Sequence, residues 1–244
     1  TRRISMSKIA SVVARESEST GISPQERSAM DLTTDIARQT LFALIGLPGV
    51  SPAMANTYSM RRWALARSSN TSHIWISKEN KTDGILLRGS SFTKLDSEDV
   101  MSWLSDNDRV TGIDGLCSTI DVQFRTVESG TKNMITVRRL VVNSTSVMRS
   151  KRDFVVITCV SILNDGTHIV TSRSFAEDFE APSKNRKDKG CLRGVVYGSG
   201  YILHPWKSSD GSETGCEISY ACHLDMKGAG VSNAQKAEPL AEKV

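Results

Sequence analysis

The spacing of apolar residues changes period along the chain, and each change predicts a different element. Met30, Ala37, Leu41, Leu44 and Ile45 recur at helical spacing. Ahead of them stands Ser23-Pro24-Gln25-Glu26. Ser23 can cap a helix, Pro24 suits its first turn, and Glu26 can close a capping box. The helix should end near Gly46-Leu47-Pro48-Gly49, and residues 46–57 read as a loop. A short helical or irregular piece then holds Trp63. Next, His73-Ile74-Trp75-Ile76 and Ile85-Leu86-Leu87-Arg88 read as two strands, joined by a turn at Asn80-Lys81-Thr82-Asp83-Gly84. Asp96-Ser97-Glu98-Asp99 opens a second helix, whose apolar side is Val100, Met101, Trp103 and Leu104.

From about Ser118 onward the pattern predicts strands at Thr119–Val127, Asn133–Val142, Phe154–Leu163, Thr167–Phe175, Leu192–Leu203 and Thr214–Leu224. Asn164-Asp165-Gly166 between two of them is a hairpin signal. After Val231, Ala234, Ala237, Ala241 and Val244 keep helical spacing, interrupted by Pro239. Residues 1–21 read as a tail or a frayed helix, and residues 22–244 as one domain. The order is helix, strands, helix, many antiparallel strands and a terminal helix. It predicts an α+β fold built on a long curved sheet.

Composition narrows the partners. No apolar run approaches the ~18 residues of a membrane span; the longest, Leu41 to Leu47, stops at Pro48. The net charge of +4 is mild and its basic residues are scattered, which argues against nucleic acid. Lys184, Arg186, Lys187 and Lys189 form the one basic cluster, blunted by Glu177, Asp178 and Glu180. It reads as a solvated loop or as a contact for anionic membrane headgroups. Five cysteines at irregular spacing, with no CxxC pair, suggest neither a disulfide framework nor structural zinc. The chain opens on Thr1, so an upstream signal or domain stays open.

Candidate chemistry is sparse. His73, His168, His204 and His223 form no pair at metal-ligand spacing, and Cys222 and His223 point to opposite faces of a strand. No GxSxG, HExxH or phosphate-binding loop occurs. The glycines between Gly194 and Gly200 lie in a strand-like run and read as a bulge or bend. No catalytic set, metal or cofactor is expected. Two polar residues fall in apolar stripes. Arg139 alternates with Ile135, Val137 and Val141. It reads as an arginine paired with an acid, as one reaching to water, or as a headgroup contact. Tyr220 alternates with Ile218, Cys222 and Leu224 and reads as core or as a donor into a cavity.

A set of short segments then carries a family resemblance. Arg152-Asp153-Phe154-Val155 is similar to the RDFV segment of START lipid-transfer domains. Lys189-Gly190-Cys191-Leu192-Arg193-Gly194 resembles their KG-x-[VI]-R-[GA] strand start. Val170-Thr171-Ser172-Arg173-Ser174, Gly200-Tyr201-Ile202-Leu203-His204-Pro205 and Leu224-Asp225-Met226-Lys227-Gly228 fall in the family's order, so five segments lie within residues 152–228.

The resemblance implies a helix-grip fold: a long antiparallel sheet around a C-terminal helix, with a tunnel that takes one lipid. It implies a cytoplasmic protein that binds a phospholipid, sphingolipid or sterol and meets membranes transiently. Arg139, Thr158, Tyr220, Val156, Phe154 and Ile218 are the expected lipid contacts. Sterol carriers of the family place an acid and an arginine on neighbouring strands; counted from Arg152-Asp153-Phe154, those positions fall on Arg139 and Thr158. The pair is therefore absent, and an arginine there would suit an anionic headgroup such as a phosphate. A regulatory module of a larger protein and an enzyme on a related scaffold are the alternative readings.

Overall fold

The structure is a computed structural model, and it describes residues 24–59, 61–77, 84–105, 117–127, 134–142, 150–174 and 191–227. The expected N-terminal tail, basic cluster and terminal helix lie outside the described residues. The elements begin with α1 (Pro24–Ile45) and α2 (Pro52–Ser59). Strands β1 (Trp63–Ser68), β2 (Ser72–Ser77) and β3 (Ile85–Thr93) follow. Helix α3 (Ser97–Ser105) precedes β4 (Cys117–Val127), β5 (Met134–Val142), β6 (Lys151–Ile162) and β7 (His168–Ser174). Last come β8 (Cys191–Arg193), β9 (Val195–Lys207) and β10 (Thr214–Asp225).

All ten strands form one curled sheet in the order β1-β2-β3-β10-β9-β7-β6-β5-β4, with β8 pairing β6 off that path. Pairing is antiparallel everywhere except β8, which runs parallel to β6. The α+β expectation and the helix-grip sheet are present. Three sequence expectations change. Trp63 opens an edge strand and does not sit in an irregular piece, and residues 52–59 are helical where a loop was expected. The strand expected at 192–203 is two strands, broken at Gly194.

Alternation along each strand gives the sheet two faces, and along β6 both are buried. On the outer face, α1 lies across β6, β7, β9 and β10. Met30 of α1 packs on Ile135, Val137, Val155, Ile157 and Cys159. Leu41 and Leu44, with Tyr58 of α2, pack on Leu86, Ile169 and Ala221. The glycine-rich run of β9 lets the helix approach. A Cβ on Gly198 would stand 2.4 Å from Thr40 Cγ2. The expected bulge is there as well: Tyr197 is the extra residue between the pairs His223–Gly198 and Leu224–Val196.

The inner face carries its own core. Ile74, Ile85, Leu87, Phe154, Val156, Val196, Cys222 and Met226 form one cluster that gathers residues from β2 through β6. Helix α3 closes one end of this face: its Val100 and Met101 pack with Val160, Leu203 and Cys216. Both faces of β6 are thus used: Val155, Ile157 and Cys159 pack against α1, and Phe154, Val156 and Val160 turn toward the hollow of the sheet.

Gly198→Val should test the helix seat. The added bulk meets the stiff, branched Thr40 side chain, so chemical denaturation should show a loss of about 1–3 kcal/mol. Stability equal to the parent protein would contradict this packing.

Candidate functional site

Three consecutive residues of β6 fix the region. Arg152 is buried, and its guanidinium donates to the backbone of the chain leaving β10. Nε bonds the Met226 carbonyl at 2.6 Å, Nη2 bonds the Lys227 carbonyl at 3.1 Å, and Nη1 bonds the Ser150 carbonyl. Asp153 points to the outer face and is fully buried. It accepts two hydrogen bonds from Arg193, Nε at 3.1 Å and Nη2 at 2.8 Å, and a longer one from Arg139 Nε at 3.4 Å. Phe154 turns inward beneath Gly194, where a Cβ would lie 2.2 Å from its ring. Parallel pairing of Arg152 with Leu192 and Asp153 with Arg193 brings the two segments together.

The Asp153 carboxyl is held below its usual range. Burial alone would raise it, but the Arg193 and Arg139 guanidiniums outweigh burial by hydrogen bonding and charge. An isolated buried charge would be far more costly than this fork-to-fork pair.

Register now places the expected lipid contacts. Phe154, Val156 and Thr158 of β6, with Ile218 and Tyr220 of β10, face inward. Arg139 does not join them. It stands opposite Val155 on the outer face and bonds Asp153. The inward residues of β5 are Met134, Thr136, Arg138 and Leu140, which oppose Val160, Thr158, Val156 and Phe154. Counting from the motif in the sequence missed Arg138 because both alternating sets of β5 contain one arginine. Only the pairing with β6 separates them.

A row of small polar side chains crosses this inner face. Thr136 opposes Thr158, Thr158 opposes Ser172, Ser172 opposes Ser199, and Ser199 opposes Cys222. Thr158 Oγ1 and Ser172 Oγ share a hydrogen bond of 2.9 Å. Tyr220 lies beside the row, with Tyr201 stacked 4.8 Å away in a tilted pair. Burial, together with the neighbouring Cys222 and Tyr201, keeps the Tyr220 hydroxyl well above the ordinary phenol range. Burial likewise pushes the Cys222 thiol up to about 11, so it stays protonated and unreactive at neutral pH. The row offers uncharged donors and acceptors among apolar neighbours such as Val156, Val160 and Ile218, with Arg138 one step along β5. Among the described residues, no group of His, Cys, Asp and Glu is arranged to hold a metal ion.

His168 lies deeper, between Leu203 of β9 and Ile162 of β6. It is 3% exposed, and neither ring nitrogen has a hydrogen-bond partner among the described residues. Burial lowers its pKa, against the opposing pull of Glu98, the Gly166 backbone and Asp96.

A single curled sheet, covered by helices outside and carrying on its inner face apolar clusters crossed by a polar row, defines an α+β fold of the helix-grip type. The START domain family model matches residues 55–237. The chain belongs to the START domain family. Solved structures share the fold. Human StAR-related lipid transfer protein 5 is 17% identical, with 87% of this chain and 89% of that chain covered at a TM-score of 0.63. The human StarD13 lipid transfer and protein localization domain is 18% identical, with 78% and 86% covered at 0.55. A STAR-related lipid transfer protein from Xanthomonas axonopodis is 17% identical, with 74% and 91% covered at 0.52. No curated protein matches the chain in sequence.

Two outcomes follow for stability. Asp153→Ala leaves two partly buried guanidiniums without their anion and should cost about 3–5 kcal/mol in urea unfolding; a change within the scatter of surface substitutions would contradict the buried triad. For His168, the folded pKa lies below the unfolded value of about 6.5. The unfolded chain therefore takes up the proton first. Stability is complete above that value and falls as pH drops from it toward the lower folded pKa. His168→Met should remove this part of the acid sensitivity. Identical pH profiles for the two proteins would contradict the neutral buried imidazole.

Proposed function

We propose that the protein binds one lipid against the inner face of its sheet and transfers or senses it at membranes. Membership of the START family supports this, and so does one observation: the inner face joins apolar clusters to a short hydroxyl row. Such a surface suits a molecule with a long apolar body and one small polar end. Withdrawing the body from water contributes roughly 0.8 kcal/mol per buried CH₂. Thr158 and Tyr220 orient the polar end, and Phe154, Val156 and Ile218 line the apolar part. The function needs no bond-making, and no acid–base or nucleophile set converges on this face among the described residues.

Arg139 has a different part in this proposal. It sits with Asp153 on the far side of the sheet, where it serves the framework. Arg138 is the arginine on the lipid side. Residues from about 22 onward act as one lipid-binding unit, α1 and α2 being the outer brace of the sheet. No helix among the described residues is long and apolar enough to cross a membrane. A cytoplasmic protein that meets bilayers only to load and unload fits this reading.

Native mass spectrometry of the protein after incubation with mixed-lipid vesicles tests it. The expected spectrum contains a one-to-one lipid complex. A protein that emerges empty from vesicles of sterol, sphingolipid and phospholipid would contradict the proposal. Arg139→Leu should lower stability and leave lipid uptake by the folded fraction unchanged. Uptake that falls while stability holds would return Arg139 to the binding site.

A further inference from the structure

Thr136 carries an unmet demand at the end of the polar row. It is 1% exposed, and its Oγ1 has no hydrogen-bond partner among the described residues. Burying a hydroxyl without a partner is unfavourable, and native proteins seldom do it without a reason. The side chain faces the hollow of the sheet directly opposite Thr158, whose own hydroxyl is shared with Ser172. Thr136, Thr158 and Ser172 thus present three neighbouring oxygens on three adjacent strands, with Val160 and Val156 flanking Thr158 along β6.

We propose that Thr136, with Thr158 and Ser172, forms the subsite for the polar end of the bound lipid, and that this end is an uncharged hydroxyl or amide. The inference rests on the lipid-binding reading above. A hydroxyl both donates and accepts, so it matches a partner that does the same. A phosphate or carboxylate stripped of water here would need a cation within the row. Thr136, Thr158, Ser172, Ser199 and Cys222 supply none. Arg138 is the nearest cation on this face, one step along β5, and it already interacts within the chain.

The test uses the full chain and phosphatidylcholine vesicles doped with diacylglycerol, ceramide or phosphatidic acid. The parent protein should extract diacylglycerol or ceramide in preference to either phosphate-bearing lipid. Thr136→Val keeps the shape and removes the oxygen; it should bind the extracted lipid about 3- to 10-fold more weakly, one hydrogen bond's worth. Its lipid-free melting temperature should be no lower than the parent's, because an unmet hydroxyl has gone. Thr136→Ser should restore the affinity. Should Thr136→Val fail to fold, Thr158→Val gives the same reading, with weaker binding expected. Unchanged affinity in the folded variant, as a trapped water on Thr136 would produce, overturns the subsite and leaves lipid binding intact. Preferential extraction of phosphatidic acid or phosphatidylcholine overturns the uncharged polar end. A parent protein that extracts none of these lipids overturns the lipid-binding reading itself.

Discussion

The buried carboxylate of Asp153 ties three strands together from the outer face of the sheet. Arg193 grips it from β8 and Arg139 touches it from β5, so a charge that would otherwise repel burial becomes the joint between them. On the same strand Arg152 holds the backbone at Met226 and Lys227, and Phe154 fills the space that Gly194 leaves open. With Asp153 committed outward, alternation forces Phe154, Val156, Thr158 and Val160 inward. The lining of the hollow is thus set by a joint on the opposite side. A one-residue slip of β6 would exchange an apolar lining with one polar row for a face carrying a buried acid.

The helices secure the same assignment. α1 and α2 occupy the outer face through Met30, Leu41, Leu44 and Tyr58, and the absence of a Cβ at Gly198 lets Thr40 approach. Tyr58 also donates to or accepts from His223 Nδ1 at 2.8 Å, which fixes the outward face of β10 and so the inward aim of Tyr220. α3 then covers one end of the inner face over Leu203 and Cys216. What remains available inside is the apolar cluster around Phe154 and Cys222, together with the row from Thr136 to Ser199.

Much of this was legible in the sequence, and what was not has a physical cause. Periodicity and caps located α1, α3 and the long strands. The Arg152-Asp153-Phe154 and Leu192-Arg193-Gly194 segments identified the family, though only the parallel pairing of β6 with β8 explains why they belong together. Trp63-Ala64-Leu65-Ala66-Arg67-Ser68 escaped because a mostly exposed edge strand shows little alternation. Phe154, Val156, Thr158, Ile218 and Tyr220 were expected together from the family resemblance, and they share a face in the structure. Arg139 was placed by counting across the β5–β6 connection, where nothing in the sequence fixes register. Thr136 and Arg138 were missed for the same reason. The hydroxyl row is a property of four strands in register, so no single segment could announce it.

The central claim is that the two faces of this sheet have different work: a joint and helical brace outside, a lipid inside. Photo-crosslinking with a diazirine-bearing lipid, followed by peptide mapping of the adducts, tests it most directly. The account predicts adducts on inward residues of β5, β6 and β10, among them Val156, Thr158 and Ile218. Adducts concentrated on outward residues such as Val155, Ile157 and Ala221, with the inner face unlabelled, would contradict it.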